Sequence, residues 1–153
     1  MAELSTIGMV FAYGVETTAG TCPASFTKIE GSMNLPEFAL EPQQIDVTPT
    51  NETTAHRFIP GLANDSAAKG IQFNNNDAFQ TAWGSMMTAY GNLGAGLSMW
   101  FEFYHPSMTK AFFFTGKPSD LGFGGADVDA AHNVTGYITP NIIKGWLTAV
   151  APS

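Results

Sequence analysis

LSMWFEFYHPSMTKAFFFTG, residues 97–116, sets two aromatic-rich runs on either side of HPSM. Such runs joined by a short turn predict a β-hairpin with a four-residue loop. Side chains alternate along a strand, so Leu97, Met99, Phe101 and Phe103 share one face, while Ser98, Trp100, Glu102 and Tyr104 share the other. The first face reads as core. The second is half-apolar and predicts a contact with another sheet or another subunit.

Immediately upstream lies the clearest helix signal in the chain. Phe79, Trp83, Met86, Met87 and Tyr90 form one apolar stripe at helical spacing. Asn75 or Asn76 can cap its start, Asp77 suits the positive end of the dipole, and Gly91-Asn92 predicts a stop with positive φ. A helix with one apolar face covers a sheet. Further upstream, residues 7–15 and 26–30 read as short strands separated by turn chemistry that includes Gly20 and Pro23. Residues 33–42 carry two prolines, which confines any strand there to an edge. Ile45–Thr48 and Ala55–Ile59 read as strand-like arms around a polar tract, with Pro60-Gly61 marking a turn, and Ile71–Asn74 reads as a further short strand. Downstream, KPSDLGFGGADVDAAHN is a long Gly/Asp loop, and VTGYITPNIIKGWL supplies one or two final strands.

The 153-residue length predicts a single domain with a buried core. Only 12% of residues are charged, which suits sheets joined by turns better than a helical bundle. Net charge is −7, and the first fifty-five residues hold seven acids against Lys28 alone. This balance excludes a phosphate-gripping surface, which needs clustered Lys and Arg. The lone Cys22 excludes an internal disulfide framework and any cysteine-based zinc site. IGMVFAYGV has the look of a signal segment, but its flank holds Glu3 and no Lys or Arg, so no export signal is expected. Ala78–Phe101 is uncharged yet broken by polar residues and Gly, so no membrane span is expected.

Signals for chemistry are weak. His56, His105 and His132 stand at no metal-ligand spacing from one another. Asp127, Asp129 and His132 lack the further oxygen ligands and terminal Glu of a calcium loop. GNLGAG follows a helix and precedes a strand, the reverse of a dinucleotide-binding order, and reads as a helix stop. The sequons at Asn51, Asn64 and Asn133 are what chance supplies in a chain this rich in Asn and Thr. No nucleophile elbow occurs, and Cys22 has no evident base. Asp46, Glu52, His56 and Arg57 crowd one polar tract, without a nucleophile or pocket to serve. The expectation is a non-enzyme with no cofactor and no metal.

Taken in order, these parts resemble the major tail (tail tube) proteins of long-tailed bacteriophages. The resemblance rests on YGVETTAGTCPASFTKIEG, then FALEPQQIDVTPTNETTAHRFIPGLAND, then GIQFN, one helix, and MWFEFYHP with KAFFFTGKPSDLG. The acidic-Thr start, polar excursion and Pro-Gly-Leu finish of the second segment are its most telling part, and the likeness covers almost the whole chain. ETTAGTCPAS is a longer first turn than the pattern needs. The resemblance implies a mainly β fold with one α-helix, a two-sheet β-sandwich or barrel-like domain with a protruding loop at about residues 47–57. It implies a virion protein, assembled in the bacterial host cytoplasm, whose copies form stacked, typically hexameric rings. These would enclose a conduit that DNA traverses without tight binding, as the acidic charge suits. Partners would be further copies, the tape measure, the tail terminator and distal tail components, with no membrane.

On this reading the excursion supplies oligomer contacts through Val47, Thr48, Thr50, Asn51, Glu52, Thr53, Thr54, His56 and Arg57. Arg57 would meet a neighbour's carboxylate, and Trp100 and Tyr104 would anchor an interface. Two alternatives stand beside it. A tube or ring subunit of a contractile injection or secretion apparatus would share the fold. A carbohydrate-binding β-sandwich would use Trp100, Tyr104 and Trp146 as sugar platforms.

Overall fold

The computed structural model describes residues 3, 5, 7–63 and 67–153. Among them run β1 (Val10–Val15), β2 (Thr27–Ile29), β3 (Pro42–Asp46), β4 (Phe58–Ala63), β5 (Lys69–Asn74), α1 (Asp77–Gly91), β6 (Met99–Tyr104), β7 (Lys110–Pro118) and β8 (Asn133–Thr148). The fold is mainly β with one helix and two sheets: six strands ordered β2-β1-β6-β7-β8-β5, and a two-stranded sheet of β3 and β4. Two compact units are described, Glu37–Ser66 and the remainder.

The larger unit is built around the β6–β7 hairpin. Its strands pair Phe101 with Phe114 and Phe103 with Phe112, and β1 adds Phe11 opposite Phe103 and Tyr13 opposite Phe101. Phe11 and Phe101 stack at 5.6 Å, and Phe101 and Phe114 at 5.3 Å. Burying each such ring contributes on the order of 1.5–3 kcal/mol, so this face carries a large share of the stability. The sheet curls until its ends meet. Beyond β2, Ser32 bridges Phe73 of β5, Met33 N–H donates to Gln72 O at 2.7 Å, and Asn74 N–H donates to Gly31 O at 3.1 Å. Gly31 takes φ +90°, which lets the chain turn off β2 toward β5. These bonds make the sheet barrel-like and occupy edge groups that would otherwise be open.

Helix α1 covers the aromatic face as its stripe predicts. Phe79, Trp83 and Met86 are buried, and Phe79 stacks on Phe73 at 4.6 Å. Asn76 is the cap, accepting from Phe79 N–H at 2.8 Å. The stop differs from expectation. Gly91 lies within the helix and Asn92 has φ −94°, its N–H donating to Thr88 O at 3.1 Å, so the end closes without a left-handed residue. Two turn expectations also change. Five residues, 105–109, connect β6 and β7 instead of four. Pro60-Gly61 lies inside β4, with Pro60 opposite Gln44 beside a register shift. A two-stranded sheet has only edges, so a proline can turn its missing N–H away from the partner.

The second face of the hairpin is also covered within the chain. Trp100 is 2% exposed and Glu102 0%, in a cluster with Ala12, Phe26, Ala111 and Phe113 that Cys22, Tyr104, Ala149 and Val150 flank. This face therefore needs no second sheet or subunit. Residues 16–26 and 149–153 cover it, and neither carries a periodic pattern.

Gly136 on β8 is the point where α1 presses hardest on the sheet, because any Cβ there would run into the Trp83 ring. Trp83 is 2% exposed and its Nε1 donates to Ser119 O at 3.1 Å, so the ring has no room to give. Gly136→Ala should lower stability by about 1–3 kcal/mol in urea denaturation without changing the secondary structure seen by circular dichroism.

Candidate functional site

The expected contact segment is the turn of the β3–β4 hairpin, the second compact unit. β3 stops at Asp46 because the Asp46 carboxylate accepts from Thr48 N–H at 2.9 Å and from the Thr48 hydroxyl, a side-chain turn that ends the strand. The Thr48 hydroxyl oxygen in turn accepts from Arg57 N–H at 2.7 Å, and Val47 N–H donates to Arg57 O at 2.9 Å. At the tip, the Glu52 carboxylate accepts from Thr53 N–H, Thr54 N–H and the Thr54 hydroxyl. Arg57 completes it with an ion pair to Glu52 at 3.0 Å. Arg57 thus has a carboxylate partner within its own turn. Hydrogen bonds from the Thr48 hydroxyl and N–H hold the Asp46 carboxyl below its usual range. Those from Thr54 and Thr53, with Arg57, do the same for Glu52.

The acid–histidine cluster is assembled, but for the turn's own backbone. His56 Nδ1 lies 3.6 Å from Asp46 Oδ2 and 3.4 Å from the Thr48 hydroxyl, and its ring packs near Phe58. A relay needs the acid and the hydroxyl on opposite ring nitrogens, and here both meet Nδ1. Thr50, Asn51, Thr53 and Thr54 are exposed at the tip.

What the hairpin does expose is apolar. Ile45, Val47, Phe58 and Ile59 are 48%, 45%, 53% and 47% exposed. Ile45 pairs with Ile59, so this pair sits on one face and Phe58 on the other. An isolated two-stranded hairpin is marginal in water, and apolar side chains on both faces sharpen that need for a partner. Strand β8 offers a second open surface. β7 pairs with it along residues 138–148, but β5 reaches only Asn133–Ile138. Among the described residues, no strand pairs with the other edge of residues 139–148, where Ile142, Trp146 and Leu147 are exposed.

The interface aromatics need correction. Trp100 is buried, its Nε1 donating to Glu16 Oε2 at 2.9 Å and Lys144 Nζ lying 5.2 Å from its ring centre. Tyr104 is partly buried against the same cluster. Trp100 can therefore present no ring to a neighbour or a sugar, and of the three proposed sugar platforms only Trp146 is substantially exposed. The remaining histidines tie loops. His105 accepts from Ser107 N–H on Nδ1, which leaves Nε2–H to donate to Ile7 O at 2.9 Å. His132 spans Asn75 Nδ2 and Gly124 O, each at 2.8 Å. The sequon Asn64-Asp65-Ser66 lies outside the described residues.

Sequence reading missed two buried acids. Glu16 is 5% exposed and accepts from Trp100 Nε1, Ser98 N–H at 2.7 Å and Gly20 N–H at 2.8 Å. Burial raises its pKa, but these hydrogen bonds with Lys144 outweigh burial and hold the carboxyl below its usual range. The long ETTAGTCPAS turn is organised around this carboxylate. Glu102 has no such support. Burial pushes it up to about 7, opposed only by the Val150 N–H. Neither acid sits in a motif; an acid alternating with aromatics on the hairpin's second face was the available signal for Glu102.

Neither the sequence models of known families nor curated protein sequences match this chain. By structure, it is similar to a chain in the cryo-EM structure of the anti-feeding prophage baseplate, 6-fold symmetrised, with a TM-score of 0.60 over 97% of each chain at 9% identity. At that identity the likeness is one of fold.

A folded pKa of about 7 against an ordinary 4.5 means that the folded state holds the Glu102 proton longer than the unfolded state does. This group's contribution is intact below pH 4.5 and is lost progressively up to pH 7, by up to about 3 kcal/mol. Denaturation across this range should therefore show Glu102→Gln gaining on the wild type as pH rises, with the difference level above neutrality.

Proposed function

We propose that the chain is a non-catalytic structural subunit of a phage-type tail or contractile injection apparatus, and within it a subunit of the tube. Copies join side by side into rings, six to a ring, and the rings stack into a hollow conduit. Two observations carry this reading: the β3–β4 hairpin exposes apolar strands, and, among the described residues, one edge of residues 139–148 stays unpaired in a barrel-like sheet whose β2 and β5 ends are tied together. An open strand edge is a template for another strand, and a ring provides that strand from the next copy. The fold shared with a chain in a six-fold symmetrised prophage baseplate supports the same reading.

A phage tail tube and the tube of a contractile injection apparatus differ in what surrounds and crosses the conduit. The baseplate likeness favours the second as an alternative setting for the same subunit. In a phage tail, the net charge of −7 lets DNA pass without sticking, and the tape measure, terminator and distal tail proteins bound the tube. The turn at residues 47–57 and the apolar strands beside it form the contact arm between copies.

Concentrated protein viewed by negative-stain microscopy should show rings or tubes of constant diameter; a monomer at every concentration and salt level would overturn the proposal. Replacing residues 47–57 with a short Gly/Ser turn should leave the circular dichroism spectrum of the barrel intact and abolish polymerisation. Normal tubes from that variant would remove the arm's role while leaving the tube reading standing.

A further inference from the structure

Glu102 sits on β6 between Ala12 of β1 and Phe113 of β7, fully buried. Its Oε2 accepts from Val150 N–H at 3.1 Å, and its Oε1 has no hydrogen-bond partner among the described residues. The segment that supplies this single bond also closes the second face. Ala149 N–H donates to Thr109 O at 3.0 Å, and Ser153 N–H donates to Phe26 O at 3.0 Å. Lys28 N–H donates to Ser153 O at 3.2 Å, so the far end of the segment lies along β2.

Few charged groups surround this carboxyl. Ala12 and Phe113 bring none from β1 and β7, and residues 149–153 carry no ionisable side chain. Tyr104 lies two positions along β6, Cys22 adds a thiol whose own pKa burial and Glu102 raise, and Lys28 is paired with Glu30 at 3.1 Å. Lys144 stands over Trp100 and acts on Glu16.

We propose that residues 149–153 form a strap seated on the Glu102 carboxyl, closed over the Trp100–Phe113 face while that carboxyl keeps its proton and lifting when the proton is lost. A neutral carboxyl is tolerable in this setting, whereas an anion with one donor and one open oxygen needs water. The strands β1, β6 and β7 are held by their ladders, so water enters from the side covered by the partly buried Ala149 and Val150. Opening uncovers Trp100, Phe113 and Cys22, and it frees the backbone of residues 26–28 along β2. The strap is thus a proton-controlled cover for an apolar face and a strand edge. This inference does not depend on tube assembly and is tested on the dispersed protein.

Amide exchange followed by NMR, corrected for the intrinsic base-catalysed rate, is the direct test. From about pH 5 to pH 9 the Lys28 and Ser153 amides should lose protection by more than about tenfold, while the β6–β7 ladder stays protected. Glu102→Gln should keep both amides protected throughout. Unchanged protection in the wild type, or the same loss in Glu102→Gln, would overturn the proposal. Should that variant fold poorly, the carboxyl-carbon titration of wild-type Glu102 decides: a midpoint near neutrality that coincides with strap opening supports it, and one in the ordinary carboxylate range overturns it.

Discussion

The β6–β7 hairpin is apolar on both faces, and a strand pair of that kind cannot stand with either face in water. Phe101, Phe103, Phe112 and Phe114 load one face, and Trp100 and Phe113 load the other. Each face is covered by a different device. The first takes the rest of the curled sheet and α1, whose Phe79 and Trp83 pack against Phe73. The second takes the long first turn and residues 149–153. Closing the sheet through Ser32 and Phe73 serves the same need, because it joins the β2 and β5 ends around the aromatic face.

Covering the second face with irregular chain has a chemical consequence. Irregular segments bring backbone N–H groups that must be satisfied, and two acids of this face serve them in opposite ways. Glu16 gathers three donors and is held as a carboxylate. Glu102 receives one, and burial pushes its carboxyl up to about 7. Two carboxyls within the same aromatic neighbourhood thus differ in charge state, because burial outweighs the one donor at Glu102 while three donors and Lys144 outweigh it at Glu16.

Two surfaces are left over after these needs are met. The β3–β4 hairpin satisfies its turn internally through Asp46, Thr48, Glu52 and Arg57, while its strands expose Ile45, Phe58 and Ile59. Its polar groups are self-sufficient and its apolar groups are not. The polar residues singled out in sequence are thus bonded mainly to their own turn. They shape the arm, and the neighbouring apolar strands are what remain to be buried. Along β8, the mismatch between a 16-residue strand and the shorter β5 leaves an edge that no sequence pattern marks.

Local pattern determined much of the fold. Alternation and the 3.6-residue stripe placed β1, β5, α1, β6 and β7 and identified Phe101, Phe79 and Trp83 as core, because periodicity records which side of an element meets apolar neighbours. It also placed a polar excursion between two arms near residues 45–59. What periodicity cannot record is how non-periodic chain is used. That Trp100 is covered by its own chain, that Pro60 lies within a strand, that Arg57 pairs with Glu52, and that Glu102 is buried under Val150 all depend on contacts between segments far apart or on turn geometry. The long-range ones, at Trp100 and Glu102, exist only once the sheet has curled, since it is closure of the backbone in space, not the order of residues, that decides which loop lies over which face.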